Sequence, residues 1–182
     1  MRRSDERVDD INGPGGHSLD CVIGLGANLG EPRDTLAAAV RALADLGRIS
    51  GVSALYHTAP VGGPSQPDFL NAAVRLEYFG EPLALLEALL AIERGFGRER
   101  RERWGPRVLD LDLLWIDGVQ VRTATLEVPH PRLVERTFAL DPLLDVCPAA
   151  TDPHTGRPYR SVRAELSDDG IQRLEQVWVS GH

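Results

Sequence analysis

Apolar and polar positions in the first half of the chain follow both strand and helix periods. Apolar runs at residues 19–26 and 48–58, and a two-residue alternation at 69–78, predict three strands. Apolar residues recur at helical spacing after Glu31-Pro32 and Glu81-Pro82, where proline suits the first helical turn. The pattern therefore predicts helices from 31 to about 46 and from 81 to about 95 or 97.

The second half of the chain continues the mixture of elements. A dense run of Leu, Trp and Ile at 109–116 predicts a buried strand, and Asp117-Gly118 is typical of a two-residue hairpin turn with 119–121 as the returning strand. A helix is expected at 138–146, and residues 171–179 form a weakly amphipathic segment. This order predicts an α+β fold, a ferredoxin-like α/β sandwich with helices packed on a mostly antiparallel sheet.

Domain organisation follows from the same pattern. Residues 1–18 are rich in charge and glycine, show no hydrophobic period and are expected to form a disordered tail. Residues 19–182 contain no internal repeat and are expected to form a single domain.

Composition and hydropathy indicate the cellular compartment in which the protein is expected. Of the 182 residues 42% are apolar and 26% charged, as in soluble globular proteins. Since no apolar run reaches the length of a membrane span and the N-terminus has no hydrophobic signal region, a cytoplasmic location without a membrane partner is expected. Cys21 and Cys147 lie in apolar contexts, which predicts buried free thiols.

The distribution of charge is more informative than its total. The formal net charge of −7 argues against a nucleic-acid partner, yet residues 94–107 contain six Arg and only two Glu. A basic focus on an acidic protein favours a small polyanionic ligand. The chain contains no Lys, which excludes a Walker A phosphate loop and a Schiff-base lysine.

Asp110 and Asp112 are the strongest candidates for chemistry. They stand two residues apart on a strand, so both carboxylates point to one face, roughly 6–7 Å apart. A solvated edge strand would tolerate them, but the opposite face (Leu109, Leu111 and Leu113) reads as core. Two hard oxygen ligands on a largely buried strand suit Mg²⁺, which completes its shell with phosphate oxygens and water.

The arginine-rich segment before this strand is the second candidate. A solvated loop is the default interpretation for three of the five arginines at 98, 100, 101, 103 and 107. Guanidinium groups nevertheless match phosphate oxygens, and Trp104 could offer an indole for stacking. Carboxylates for a metal beside an arginine loop are typical of phosphoryl transfer.

Two further features remain open at this stage. The segment GLGANLG, residues 24–30, lacks the third glycine of the dinucleotide-binding fingerprint. It predicts a tight strand-to-helix turn whose amides either face a ligand or only turn the chain. His57 and His130 show no ligand spacing, so structural roles are expected, although Pro129 and Pro131 fix the backbone of His130.

Several of these segments resemble one enzyme family. RWGPRVLDLDLL at 103–114 is similar to the signature of the 6-hydroxymethyl-7,8-dihydropterin pyrophosphokinases of folate biosynthesis. The resemblance extends from about residue 20 to about 150 in the family's order and includes GLGANLG at 24–30, YHTAP at 56–60, QPDFLNAAV at 66–74, IE at 92–93, GR at 97–98 and PHPR at 129–132.

The resemblance implies an ATP-dependent diphosphotransferase that moves pyrophosphate from ATP to the hydroxymethyl oxygen of the pterin and releases AMP. It implies two Mg²⁺ ions held by Asp110 and Asp112, with Arg98 and Arg107 as catalytic residues. The pterin-binding residues it implies are Thr58, Ala59, Val61, Phe69, Asn71 and Phe138. The ATP-binding residues it implies are Glu93, Arg98, Trp104, Arg107, Ile116, His130 and Arg136.

The sequence departs from the family at Leu90, where Gln is frequent, and at Pro131, where Tyr occurs; both bear on the adenine side. The N-terminal extension and the segment after Pro148 have no counterpart that we can place. Small-molecule substrates and a monomer are expected. Two alternatives stay open: a non-catalytic ferredoxin-like module that binds nucleotide or RNA, and a Mg²⁺-dependent kinase acting on another small alcohol.

Overall fold

The structure, a computed structural model, describes residues 18–60, 65–97, 107–167, 170–174 and 178–179. Its strands are β1 Ser18–Ala27, β2 Gly47–Val52, β3 Tyr56–Thr58, β4 Phe69–Phe79, β5 Asp110–Ile116, β6 Val121–Arg122, β7 Glu127–Val128 and β8 Ile171–Arg173. Its helices are α1 Pro32–Ala44, α2 Pro82–Gly95, α3 Thr137–Val146 and α4 Tyr159–Arg163, with a 3₁₀ turn at Leu133–Glu135.

The main sheet is built around β4. This strand pairs antiparallel with β1 along its whole length, from Ser18 opposite Phe79 to Ala27 opposite Leu70. Its other edge pairs with β2 and then with β3, and the strand order is β5-β1-β4-β3-β8 with β2 beside β4. Every pairing in this sheet is antiparallel, which confirms the predicted α+β class.

Helices cover both faces of the sheet. Side chains alternate between the faces of a strand, so Ile23 packs with α1 and α2, while the adjacent Val22 packs with α3 and α4. On β5 the same alternation sends Leu111 and Leu113 towards α1 and α2. The two aspartates of β5 therefore lie on the α3 side of the sheet. The sequence pattern predicted that they share one face, opposite the leucines.

The predicted single strand over 48–58 is wrong, because the chain leaves the sheet between β2 and β3. Ser53 bonds twice to Ala73: Ser53 N donates to Ala73 O at 2.9 Å, and Ala73 N donates to Ser53 Oγ at 2.8 Å. The next amide, Ala54 N, donates to Asp145 Oδ2 on α3 at 3.0 Å. These contacts hold residues 53–55 between two short strands.

The predicted hairpin at Asp117-Gly118 is only half right. A turn forms there, with Gly118 at φ 65° and Val119 N bonded to Ile116 O. The chain that follows does not return along β5, however. Val121 and Arg122 of β6 pair instead with β7 in a separate two-stranded sheet.

Other predictions can be compared with the structure directly. The helices expected at 31–46, 81–95 and 138–146 are confirmed within two residues at each end as α1, α2 and α3. The weakly amphipathic C-terminal segment contains β8, and α4 was not predicted. Both cysteines are buried and free, and burial raises the pKa of Cys21 to about 12.

The chain ends bear on the predicted domain limits. Ser18, which was assigned to the tail, is the first residue of β1. Residues 1–17 lie outside the described residues, so the tail and the domain boundaries stay predictions. Among the described residues, none of the helices is both long and apolar enough to cross a membrane.

Candidate active site

A cavity of about 410 Å³ opens on the α3 side of the sheet, where β1, β4 and β5 meet the loop before α3. It gathers most of the residues singled out from the sequence, although they come from distant parts of the chain. Those that line it are Thr58, Ala59, Phe69, Asn71, Arg107, Asp110, Asp112, His130, Arg136 and Phe138.

The floor of the cavity is formed by Gly24 and Gly26. Both lie within β1, with Gly24 opposite Asp112 and Gly26 opposite Asp110, so the predicted tight turn over 24–30 begins only after Ala27. A Cβ added at Gly26 would lie 3.4 Å from Asn71 Oδ1 and 4.0 Å from Asp110 Cβ. Glycine therefore keeps open the space between the amide and the carboxylate.

The two aspartates of β5 differ in environment. Asp110 is half-buried and its Oδ2 accepts a 2.5 Å hydrogen bond from Arg107 Nη1. Burial, and then the negative charges of Asp110 and Glu93, raise the pKa of Asp112 to about 7, while Arg136 and Arg107 oppose the shift. The carboxylates of Asp110, Asp112 and Glu93 thus place several negative charges close together in a poorly solvated part of the protein.

This donor set fits Mg²⁺. Two carboxylates face one cavity, and the raised pKa of Asp112 shows that a positive charge there would relieve an electrostatic cost. Within the described ranges, no group of three or more His, Cys, Asp or Glu could hold a metal. One or two carboxylates are the usual protein contribution to a Mg²⁺ that also binds phosphate oxygens and water.

Glu93 lies behind β5 rather than in the cavity. It is 1% exposed, and its Oε1 accepts a 2.7 Å hydrogen bond from Leu111 N, the amide between the two aspartates. A carboxylate that binds this amide holds the backbone that carries both cavity aspartates. Its predicted contact with ATP stays a prediction, and the geometry gives it a positioning role.

One region of the cavity, which we call the slot, is lined by Thr58, Phe69, Asn71 and Phe138. Asn71 is buried, and its Nδ2 donates to Thr58 Oγ1 at 2.8 Å. This bond fixes the side-chain amide so that Oδ1 lies beside Gly26. Phe69 and Phe138 line the slot, and the Arg136 guanidinium lies 5.5 Å from the Phe138 ring centroid.

A second region of the cavity, which contains His130, Arg132 and Arg136, is basic. Burial, Arg136 and Arg132 lower the pKa of His130, and burial lowers the pKa of Arg136. His130 Nδ1 accepts a hydrogen bond of 3.1 Å from Arg132 N, so the neutral ring carries its proton on Nε2. This basic region therefore combines guanidinium charge with an imidazole N–H donor, and both groups bind phosphate oxygens well.

Of the four remaining predicted residues, the structure describes only Ile116. Ile116 is fully buried in the core that contains α1 and α2. Val61, Arg98 and Trp104 lie outside the described residues. Their assignments to the pterin, to catalysis and to ATP stay predictions.

Sequence reasoning missed Asn28, which is 2% exposed. Its Nδ2 donates to Gln66 Oε1 and to Pro67 O, both at 3.0 Å, and its Oδ1 accepts from Arg107 N at 2.8 Å. Asn28 thus connects the end of β1 to the segment before β4 and to Arg107 in the cavity wall. An Asn among glycines suggested only a turn, and no periodic pattern could indicate its distant partners.

Fold and site together define an α+β protein with a carboxylate and arginine site of the kind used to transfer phosphate groups. The family model described as 7,8-dihydro-6-hydroxymethylpterin-pyrophosphokinase (HPPK) matches residues 22–148. The chain belongs to this family.

Two curated relatives, each about 40% identical to this chain, are named as pyrophosphokinases of the same kind. A 2-amino-4-hydroxy-6-hydroxymethyldihydropteridine pyrophosphokinase from Synechocystis is 41% identical over 160 residues, covering 86% of this chain and 75% of the relative. The enzyme of that name from Methylorubrum extorquens is 42% identical over 155 residues, covering 84% of this chain and 97% of the relative.

Solved structures support the fold. Plasmodium falciparum HPPK-DHPS, crystallised with pterin and p-hydroxybenzoate, matches 84% of this chain with a TM-score of 0.66 at 16% identity. The chain spans 44% of that longer protein. At this identity the likeness shows the fold alone, and it agrees with the α+β sandwich described above.

Proposed function

We propose that this protein transfers the pyrophosphoryl group of ATP to the hydroxymethyl oxygen of 6-hydroxymethyl-7,8-dihydropterin, producing the pterin diphosphate and AMP. The observation that carries the proposal is that one cavity contains both the Thr58–Asn71–Phe138 slot and the Asp110–Asp112 pair. A flat heterocycle and a triphosphate need these two environments side by side. Membership of the pyrophosphokinase family supports the same reaction.

The pterin is assigned to the slot. Its ring system would lie between Phe69 and Phe138, where stacking and burial of apolar surface favour a flat aromatic ligand. Asn71 Oδ1, fixed by the bond from Nδ2 to Thr58, would accept a hydrogen bond from an N–H group on the pterin edge. Ala59 and Val61 would complete this side of the site.

We assign the triphosphate to the basic region of the cavity. Arg107 and Arg136 would bind phosphate oxygens, and His130 would donate its Nε2–H to another. Arg98, Trp104 and Ile116 are retained as proposed ATP contacts. These groups align the β-phosphorus with the pterin hydroxyl and exclude water, which is the main work in phosphoryl transfer.

Asp110 and Asp112 would hold two Mg²⁺ ions. When bound, Mg²⁺ supplies the positive charge that neutralises the transferred group as it moves. Glu93 fixes Leu111 N and so keeps both carboxylates directed into the cavity. The pterin hydroxyl oxygen would form a bond to the β-phosphorus and release its proton. The bond between the β-phosphorus and the oxygen shared with the α-phosphate would break, and AMP would leave with that oxygen.

The test is to incubate the protein with ATP, Mg²⁺ and the hydroxymethyldihydropterin and to identify the nucleotide product by chromatography. AMP formed in equal amount to the pterin diphosphate is expected. ADP, or nucleotide turnover that does not require the pterin, would contradict the proposal. Nucleotide binding without any turnover would favour the alternative of a binding module.

A pair of variants assigns the two halves of the cavity. Asp110→Ala should lower kcat by about 10³-fold, since it removes transition-state charge stabilisation, while pterin binding without ATP persists. Asn71→Ala should instead weaken pterin binding. If Asp110→Ala retained wild-type turnover in Mg²⁺, the metal assignment would be wrong.

A further inference from the structure

The C-terminal strand β8 lies beyond residue 148, where the family match ends, yet it pairs with a strand of the cavity wall. It runs antiparallel to β3, with Thr58 opposite Ile171 and Tyr56 opposite Arg173. β3 has only three residues, and its other neighbour is β4. β8 therefore supplies the second row of backbone hydrogen bonds for a short strand that carries a cavity residue.

Two more hydrogen bonds join the C-terminal residues to the chain just before β3. Leu174 N donates to Leu55 O at 2.8 Å, and Trp178 Nε1 donates to Ser53 O at 2.8 Å. Trp178 is 7% exposed and packs in the core beside α1 and α2. The C-terminal residues thus bond to one continuous stretch, residues 53–58.

Side chains connect the same stretch to α3. Asp145 Oδ2 accepts hydrogen bonds from Ala54 N at 3.0 Å, from Tyr56 Oη at 2.9 Å and from Arg173 Nη2 at 3.4 Å. Arg173 Nε also lies 3.3 Å from Tyr56 Oη. Arg173, Tyr56 and Asp145 therefore form a three-membered polar cluster that joins β8, β3 and α3.

The cluster joins the two walls of the pterin slot. Tyr56 and Thr58 are two residues apart on β3 and so share a face. Thr58 bonds to Asn71 in the slot, and Phe138, which also lines the slot, is the second residue of α3, the helix that carries Asp145. A shift or rotation of β3 would move Tyr56 and Thr58 together.

Resting on the proposed function, we propose that Arg173 and Trp178 are positioning residues for the pterin slot. They act through Tyr56 and residues 53–58, and they set the distance between the Thr58 wall and the Phe138 wall. Neither residue lines the cavity. Their effect should therefore fall on pterin affinity and leave ATP affinity unchanged.

The experiment uses the full chain with Arg173→Ala combined with Trp178→Phe. This pair removes the guanidinium bonds and the indole N–H bond but keeps an aromatic ring in the core. We expect the KM for the pterin to rise about fivefold, with kcat and the KM for ATP within about twofold of wild type. Tyr56→Phe, which removes only the hydroxyl, should change the pterin KM in the same direction.

The matched control is Arg48→Ala. Arg48 forms a two-bond ion pair with Glu77 at 3.0 and 2.6 Å on β2 and β4, away from the cavity. The control should leave both KM values unchanged. Arg173→Lys in the Trp178→Phe background should recover part of the pterin affinity, since the charge opposite Asp145 is restored.

Two outcomes would overturn the proposal. One is a pterin KM that stays at the wild-type value in the double variant; the other is KM values for pterin and ATP that rise equally. If the wild-type protein shows no pterin-dependent AMP formation, the proposed function fails. The positioning role is then still decided by amide hydrogen exchange, where the double variant must lose protection at residues 56–58 while Arg48→Ala does not.

Discussion

Arg107 Nη1 donates a 2.5 Å hydrogen bond to Asp110 Oδ2, so the last arginine of the Arg-rich segment is paired with a proposed Mg²⁺ ligand. Both side chains are half-buried, and each needs a partner for its charge. The same carboxylate cannot give that oxygen fully to both a guanidinium and a metal ion. We therefore expect Arg107 and Mg²⁺ to compete for Asp110.

Arg107→Ala should separate metal binding from catalysis. Removing the guanidinium breaks the hydrogen bond to Asp110 Oδ2 and lowers the positive charge near the proposed metal site, so less Mg²⁺ should be needed to raise the Tm of the protein without ATP. The same change should lower kcat by about 10²-fold, because a phosphate-binding charge is lost. Thermal unfolding against Mg²⁺ concentration and steady-state kinetics measure the two effects, and Arg122→Ala, on β6, serves as control. A variant that needs more Mg²⁺ than wild type would contradict this competition.

Asp112→Asn should alter how metal-free stability depends on pH. The pKa of Asp112 is raised from 3.8 to about 7 in the folded protein, so the folded state binds more protons than the unfolded state between these values. The free energy of unfolding therefore falls as pH rises through this window. With Asn at 112, the protein should be more stable than wild type by about 4 kcal/mol at pH 8, with little difference near pH 4.

Urea unfolding in EDTA at several pH values between 4 and 8 measures this effect. Asp152→Asn, in the exposed loop after α3, is a suitable control because its carboxylate lies outside the cavity. Adding Mg²⁺ at pH 8 should stabilise the wild type more than Asp112→Asn. A variant that is less stable than wild type at pH 8 without metal would show that burial of Asp112 is not costly.

The sequence was sufficient to predict that the two aspartates of β5 share the face opposite its buried leucines. Leu109, Leu111 and Leu113 alternate with Asp110 and Asp112, and a two-residue period allows only one arrangement on a strand. The structure confirms that the three leucines are buried. Local periodicity determines which way a side chain points, so this part of the site could be predicted.

Features that depend on distant partners could not be predicted in this way. Ser53 leaves the sheet because its backbone and hydroxyl bond to Ala73 and the next amide bonds to Asp145, and none of these partners is near in sequence. β8 is a three-residue strand whose pairing with β3 spans more than a hundred residues. Short strands of this kind carry too little periodicity to be recognised before the sheet is known.

Gly26→Ala should reduce activity without loss of the fold. The added methyl would lie 3.4 Å from Asn71 Oδ1 and 4.0 Å from Asp110 Cβ, which are ordinary contact distances. Its cost is therefore loss of space between the pterin edge and the reacting groups. We expect a Tm near that of wild type and a kcat/KM for the pterin lowered by about 10-fold or more.

Gly95→Ala is the matched control, since a Cβ there meets nothing within 4 Å and the residue ends α2. It should leave kcat/KM unchanged, and a slightly higher Tm is expected because alanine favours the helix. Steady-state kinetics with varied pterin and thermal unfolding distinguish the two variants. If Gly26→Ala kept full activity, the cavity floor would not bound the substrate.

Asn28→Ala should lower both stability and catalysis, because three hydrogen bonds of a buried amide are lost. Gln66 Oε1 and Pro67 O lose their donor, and Arg107 N loses its acceptor. The free energy of unfolding should fall by about 3 kcal/mol, since buried polar partners are left unsatisfied. Arg107 should also lose its fixed place beside Asp110, so kcat should fall even at temperatures where the variant is fully folded.

Asn28→Asp separates the hydrogen bonds that the Asn28 side chain donates from the one that it accepts. An aspartate keeps an acceptor for Arg107 N but faces Gln66 Oε1 and Pro67 O with an oxygen in place of the amide donor. The carboxylate must be protonated to donate there, so this variant should be closer to wild type in stability at pH 5 than at pH 8. Its kcat should exceed that of Asn28→Ala when both are folded, because the support for Arg107 remains. Equal kcat values for the two variants would show that Asn28 acts on the loop before β4 and not on Arg107.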